Sequence, residues 1–277
     1  MSWVRAGWRL VRLVLHTLAG SGLALGATLR RRPPPATKVS RWYARFLELC
    51  GVQLDCQGTP PQGPALIVAN HLSWVDIPAI GACSQAAFLS KWSIRHWPLI
   101  GWFARAAGTL FIRRGKGESG RVAAAIAERL QTGGQVAIFP EGRIGNDHQV
   151  ERFFPRLFSA AIDTGTPVVP MALRYCHHQA PDDQIIYRPG RSFMGILFTL
   201  LRRRVTCARL VICPPIDPRG KDRRALAEAA RQAIVATLAQ SSCPGEADCR
   251  ISRSRMKGTS SVNTTAVASI SAVKNQK

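Results

Sequence analysis

Acidic residues are scarce in this chain, and they come late. Sixteen Asp and Glu face 38 Lys and Arg, a formal net charge of +22, and nine Lys or Arg precede the first carboxylate, Glu48. Self-repulsion of that size costs a compact chain stability, so the excess calls for a polyanionic partner: nucleic acid or an anionic membrane surface. Apolar residues are not short. A composition that is 46 % hydrophobic over 277 residues excludes wholesale disorder and supplies a real core. C-x-x-C is missing among the eight cysteines, and the six-residue spacings that do occur carry no zinc logic. The expectation is reduced thiols, several packed in apolar runs such as Val205–Cys213. G-x-S-x-G, H-E-x-x-H and Walker A are missing too. Gly190-Arg191-Ser192-Phe193-Met194 lacks the last glycine of the first pattern, and His177 and His178 are adjacent, a poor ligand spacing. The familiar hydrolase elbow, the zincin site and the phosphate-cradling loop are thereby excluded.

What is present begins with how the cations are placed. Leu13–Leu29 is a 17-residue apolar run broken only by His16, with Arg5, Arg9 and Arg12 before it and Arg30–Arg32 after it. As a helix it spans roughly 25 Å, slightly short of the hydrocarbon thickness of a bilayer. A secretory signal fits poorly, because Arg30–Arg32 oppose translocation. A buried core helix is an alternative, but cations bracketing an apolar segment favour a membrane anchor that crosses briefly or lies in the interface. Phe193–Leu201 repeats the pattern on a smaller scale, closed by Arg202–Arg204. At nine residues it is either an interfacial helix or a buried one with basic ends. A nucleic-acid-binding protein would show basic helices or aromatic-studded strands on a polar background, which makes it the remote reading.

After Pro33-Pro34-Pro35 the chain alternates. Trp42–Cys50 has helical periodicity, and Ala65–Ala69 is a short apolar run, hence a buried strand. Ala86–Ser90 and Thr109–Arg113 are similar short runs. Arg121–Gln131 predicts a helix with Ser119 as its cap and Gly133-Gly134 as its stop. Strands follow at Gln135–Phe139, Pro167–Arg174 and Val205–Cys213, and helices at Arg156–Thr164 and Arg223–Leu238. Such alternation predicts an α/β fold with a mixed, largely parallel sheet flanked by helices. Ser241–Lys277 has no apolar periodicity and is expected to lack structure.

Ligands of α/β sheets gather beyond the carboxyl ends of strands, and three polar clusters fall there. They are Asn70-His71-Leu72-Ser73-Trp74-Val75-Asp76, Arg113-Arg114 and Phe139-Pro140-Glu141-Gly142-Arg143. His71 and Asp76 are five apart, off the spacing of a helix face, yet a turn from strand into helix can fold the carboxylate back onto the imidazole. A carboxylate on Nδ1 would fix the tautomer and leave Nε2 as a general base. With no enzyme nucleophile in sight, such a base suits a reaction in which the substrate's own hydroxyl attacks. Taken singly, each cluster also fits a plainer role: a helix-capping or core histidine, or a solvated strand end.

As an ordered set these residues resemble the four motifs of the glycerophospholipid acyltransferases, the lysophosphatidic acid acyltransferase family. Asn70-His71-x4-Asp76 is similar to its H-x4-D motif, and Gly108-Thr109-Leu110-Phe111-Ile112-Arg113-Arg114 resembles its second motif. Phe139-Pro140-Glu141-Gly142 resembles its third, and Val168-Val169-Pro170-Met171-Ala172 its fourth, so the likeness covers about Gln62 to Tyr175. The resemblance implies direct transfer of a fatty acyl chain from acyl-CoA or acyl carrier protein, as co-substrate and with no cofactor or metal, to a lysophospholipid hydroxyl. The acceptor it implies first is 1-acylglycerol-3-phosphate, giving phosphatidic acid; lyso-ornithine lipid, which some relatives acylate, comes second. His71 takes the place of the base and Asp76 of its orienting partner, with an amide near the helix start as oxyanion donor. Arg114 and Lys91 stand at the places assigned to the acceptor phosphate, and Glu141, Gly142 and Arg143 at the acceptor pocket. Two departures touch the head group. Arg143 directly follows Gly142, where the family has Thr and then Arg, and Lys91 is followed by Trp-Ser-Ile where many relatives have Lys-Glu-Leu. The implied organisation is a membrane anchor over 1–35, an acyltransferase domain over 36–240 and a basic tail over 241–277. The implied place is the cytoplasmic face of the bacterial inner membrane, with an anionic membrane surface as partner and no nucleic acid.

Overall fold

A computed structural model describes residues 2–113, 118–144, 149–188 and 190–244. Two helices lead, α1 (Ser2–Arg30) and α2 (Ala36–Cys50), the second ending at Gly51, whose φ of 81° is the left-handed turn that a helix stop needs. There follow β1 (Val52–Gln57), β2 (Ala65–Ala69), α3 (Asp76–Cys83), β3 (Ala87–Lys91), α4 (Ile100–Ala106), β4 (Leu110–Ile112) and α5 (Glu118–Gln131). The chain continues through β5 (Gln135–Ile138), α6 (Ser159–Thr164), β6 (Val168–His177), β7 (Ala180–Pro181), α7 (Phe193–Arg202), β8 (Thr206–Ile212) and α8 (Arg223–Gln240).

The strands form one sheet in the order β1-β8-β6-β2-β5-β3-β4, with β7 on the side of β6. Along that path every pairing is parallel except β6 with β8. The mixed, largely parallel α/β sheet flanked by helices is therefore the observed fold. β2 lies at its middle, and its five residues are all buried, as a strand covered on both faces must be. Alternation along β2 divides the core. Ala65, Ile67 and Ala69 join α2, α3 and α7 on one side, while Leu66 and Val68 join α5, α6 and α8 on the other. β1 was hidden from a pattern reading because Gln53, Asp55 and Gln57 break its apolar character. Its place beside β8 is fixed by an Asp55–Arg209 ion pair of 2.9 Å. α5 begins at Glu118, so Ser119 lies inside the helix and is not its cap.

The apolar N-terminal run is part of a longer helix that is docked along the domain. α1 packs on α7, α2 and α4. The arginines ahead of the apolar run have structural work. The Arg9 guanidinium donates to the carbonyls of Leu200, Leu201, Arg203 and Arg204 at 2.7–3.4 Å, and Arg5 donates to that of Arg202 at 3.1 Å. Those of Leu200, Leu201 and Arg202 are carbonyls that the end of α7 leaves without helical partners, those of Arg203 and Arg204 lie just beyond it, and two cations also answer the negative end of its dipole. Gly20 lies flat against Trp42, and Trp102 donates to Thr28 at 3.2 Å near the far end of α1. The opposite face is bare. Val4, Trp8, Val11, Leu15, Leu18, Leu25 and Leu29 are exposed at alternating three- and four-residue steps broken only at Gly22, a continuous apolar stripe.

Of the two readings of Phe193–Leu201, the buried one describes most of α7. Ile196, Leu197, Leu200 and Leu201 point into the core, and only Met194 and Phe198 are exposed large apolar residues. The expectation of reduced cysteines throughout is corrected. Cys176 at the end of β6 is bonded to Cys243, and Cys207, its cross-strand neighbour on β8, is disulfide-bonded as well. Sequence spacing is silent here, because strand pairing and the return of the chain after α8 bring these residues together. Cys50, Cys56, Cys83 and Cys213 are free thiols. Of the tail, only Ser241–Pro244 lies within the described residues.

The two faces of α7 give a direct test. Leu201→Ala empties a fully buried position and should cost about 2–5 kcal/mol in urea unfolding. Phe198→Ser should leave the urea midpoint within about 0.5 kcal/mol of the parent, as surface changes do.

Candidate active site

The site starts from the parallel pairing of β2 and β5, whose last paired residues, Val68 and Ile138, are in register. Two loops therefore leave the sheet side by side at its carboxyl edge: Asn70-His71 from β2 and Phe139-Pro140-Glu141-Gly142 from β5. Asn70 sets where β2 stops. Its amide donates to the carbonyl of Leu173 at 3.0 Å and accepts from the Leu173 N–H at 2.8 Å, so a side chain continues the ladder to β6. The backbone is then free to turn.

That turn brings His71 and Asp76 together. His71 Nδ1 and Asp76 Oδ2 are 2.7 Å apart. The same oxygen accepts from the N–H groups of Leu72 at 2.6 Å and Ser73 at 2.9 Å, and Oδ1 accepts from the Tyr175 hydroxyl at 2.5 Å. Asp76 is fully buried at the first turn of α3, where the helix dipole favours a negative charge. Phe139 stacks on the His71 ring at a centroid distance of 4.0 Å and 15°, while the imidazole side chain keeps 17 % of its surface open. Nδ1 is committed to Asp76, and Nε2 is the nitrogen left for a substrate.

Glu141 is buried beside this pair and acts on the backbone. Its Oε1 accepts from the His71 N–H at 2.8 Å and its Oε2 from the Glu151 N–H at 3.0 Å. Burial raises the carboxyl above the usual carboxylate range, and the two amide donors pull it partly back. Burial and the neighbouring Asp76 likewise push the Tyr175 phenol well above its ordinary value, so it remains a hydrogen-bond donor. Gly142 has φ 69°, and a Cβ there would meet the Phe154 ring at 3.2 Å, so the turn requires glycine.

The remaining sequence candidates are not gathered at His71. Lys91 is exposed at the end of β3, with β5 lying between it and β2. Two strand spacings put it roughly 10 Å from β2 along the sheet. Arg113, at the end of β4, lies over the Trp92 ring at 4.2 Å, with Arg95 at 4.9 Å from the same ring. Arg114 lies outside the described residues. Arg143 points at Glu151, 2.9 Å away. The amides of His71, Leu72 and Ser73 are all committed to carboxylates, so the expected oxyanion donor is none of these three. Sequence reasoning missed Tyr175 and Glu151, and it named Asn70 within the first polar cluster without its part in ending β2. Tyr175 shares a strand face with Met171 and Leu173, a period-two signal that marks it as core and says nothing of its hydroxyl.

Comparison with known proteins bears on the family and the fold. The sequence model of the Acyltransferase family matches residues 53–174. A lyso-ornithine lipid O-acyltransferase of Pseudomonas aeruginosa is 37 % identical over 251 residues, 88 % of this chain and 97 % of that protein. A 1-acyl-sn-glycerol-3-phosphate acyltransferase of Neisseria gonorrhoeae is 34 % identical over 196 residues, 68 % of this chain and 75 % of the relative. Among solved structures, the 1-acyl-sn-glycerophosphate acyltransferase PlsC of Thermotoga maritima superposes with a TM-score of 0.58. At 23 % identity, and covering 84 % of this chain and 97 % of that one, it speaks for the fold.

Variants of the histidine–aspartate pair should rank by what each removes. His71→Ala is expected to lower acyl transfer by about 10²–10⁴-fold, the usual worth of a general base, with circular dichroism unchanged. Asp76→Asn should be severely impaired through the wrong tautomer. Tyr175→Phe removes one hydrogen bond to Asp76, about 1 kcal/mol and roughly fivefold in kcat. Near-parental turnover in folded His71→Ala protein would remove the base from the mechanism.

Proposed function

The chain belongs to the PlsC-like acyltransferase family, and from that premise we propose that it acylates the hydroxyl of lyso-ornithine lipid at a membrane surface, with acyl-CoA or acyl carrier protein as donor. The observation that carries the chemistry is the 2.7 Å pairing of His71 Nδ1 with the buried Asp76. His71 Nε2 takes the proton of the acceptor hydroxyl as the oxygen attacks the thioester carbonyl. The tetrahedral intermediate then expels the thiolate, which recovers that proton from the imidazolium. Direct transfer also fits the burial of Ser73, the hydroxyl next to the base in sequence, which leaves it no access to a thioester.

Two things favour lyso-ornithine lipid as acceptor. The Pseudomonas relative bearing that activity is matched over nearly its whole length, and Arg143 faces a carboxylate in place of an open phosphate pocket. The sequence alone put 1-acylglycerol-3-phosphate first. That reading keeps the support of the Neisseria relative and of the cations Lys91 and Arg113 at the ends of β3 and β4.

The membrane contact is assigned to the apolar stripe of α1, with the cytoplasmic face of the bacterial inner membrane as the location. α1 is one helix long and apolar enough to cross a membrane by length and composition, but its docking on α2, α4 and α7 favours a helix lying in one interface. That face is reducing, so the disulfide of Cys176 and Cys243 would open there. The end of α8 would still be held there, since Arg174 donates to the carbonyls of Leu238 and Ser241, and Arg209 to that of Ser242. Nucleic acid has no part in this reading.

Supplying labelled acyl-CoA and acyl carrier protein to the purified membrane fraction, with a panel of lysolipids, should label lyso-ornithine lipid above all other acceptors. Label confined to 1-acylglycerol-3-phosphate would move the second reading to first place, and label in neither acceptor would defeat both. Trp8→Glu combined with Leu15→Glu should release the protein from sedimenting anionic vesicles without moving its melting temperature. Pelleting lost to nuclease would point to nucleic acid instead.

A further inference from the structure

The third-motif loop carries an ion pair that the transfer chemistry does not use. We propose that Arg143 and Glu151 read the acceptor's head group, one charge for each charge of a zwitterion. The inference rests on the lyso-ornithine reading above. One buried carboxylate, Glu141, accepts from the backbone N–H of the base His71 with one oxygen and from that of Glu151 with the other. Glu151 is therefore tied to the backbone of the base by a single side chain, and its own carboxylate stands free of that tie. Arg143, two residues beyond Glu141, closes on Glu151 at 2.9 Å. Both side chains remain open to a ligand, at 68 % and 36 % exposure, while the carboxylate that positions them is buried.

Lyso-ornithine lipid offers the matching pattern. Its ornithine is bound to the 3-hydroxyacyl chain through the α-nitrogen, so the head group keeps one carboxylate and one δ-ammonium, and the hydroxyl to be acylated lies on the chain. Arg143 takes the carboxylate in a charge-assisted, two-point contact, and Glu151 takes the ammonium. The resting ion pair holds both side chains near their binding positions, so ordering them costs little at the moment of binding. A phosphate monoester brings negative charge alone. Glu151 repels it and also neutralises the nearest arginine, so the same pair discriminates against a phosphate head. The early arginine of the third motif is then a feature of head-group choice. Placed directly after the positive-φ Gly142, it is aimed across the turn at Glu151.

The test is steady-state kinetics of the full-length protein on lyso-ornithine lipid and on 1-acylglycerol-3-phosphate, each with the same acyl-CoA. Glu151→Gln should raise KM for lyso-ornithine lipid about tenfold, the size of one charge-assisted contact, with kcat retained. The same variant should lower KM for the phosphate acceptor, because a repelling charge is gone. Glu151→Asp should recover part of the loss on lyso-ornithine lipid, which a merely structural role would not predict. The backbone N–H that Glu141 holds is present in all three proteins. KM moving in the same direction for both acceptors, or moving for neither, would overturn the inference and leave the acceptor assignment standing. A parent protein that does not acylate lyso-ornithine lipid would overturn the assignment itself, and the head-group role with it.

Discussion

A carboxylate withdrawn from water is costly unless its lone pairs are answered, and Asp76 is answered four times: by an imidazole, two amides and a phenol. Each partner comes from a place that the fold must deliver. The amides require the tight turn after β2, and the phenol requires β6 to run on beyond the end of β2, so that Tyr175 overhangs the site. His71 is therefore aligned by the same contacts that make burial of the carboxylate tolerable. Glu141 repeats the arrangement one strand away, holding the backbone of His71 where Asp76 holds its ring. Two buried acids and one exposed ring edge amount to a histidine with little freedom except at Nε2.

Much of this was legible in the residues. β2 announces itself as five apolar residues ending in Asn-His, and the strand–helix alternation around it gives the mixed sheet. His71, Asp76 and Glu141 follow the carboxyl ends of strands, where ligands of such sheets gather. What escaped is set by contacts across long sequence distances. Tyr175 reads as a core aromatic until its partner 99 residues away is seen. Glu151 is selected by a backbone amide, which leaves no mark on composition. Arg9 illustrates the converse. Beside an apolar run it reads as a membrane flank, and the fold also gives it carbonyls at the end of a helix nearly two hundred residues later. Local pattern reports what a residue is, and only tertiary contact reports what it is spent on. The cysteines fall in the same class, since the pairing of Cys176 with Cys243 follows strand register and the return of the chain after α8.

In the proposed reading, head-group choice and catalysis are separated by a short stretch of chain. Glu141 holds His71 on one side and the loop that carries Glu151 on the other, while Gly142 permits the turn between them. Changing the acceptor would then need only the rim side chains to change, with the buried acids untouched. That division is consistent with one scaffold serving relatives named for different lysolipids.

The seating of α1 along the domain has a consequence for the bilayer itself. A helix held by Gly20 on Trp42 and by two arginines on the end of α7 has only its outer half to offer to lipid, and in the proposed interfacial seating it would enter a single leaflet. The acceptor would then be drawn from that leaflet and the product returned to it. A one-chain lipid is wedge-shaped and favours outward bending, whereas the two-chain product is closer to a cylinder. Each turnover of the proposed reaction would relieve bending stress on the side where the enzyme sits and add hydrocarbon to that side alone. Enzyme and substrate would thereby be coupled through membrane shape, because a leaflet strained by wedge-shaped lipids exposes more of the packing gaps that the exposed Trp8, Leu15 and Leu18 could fill.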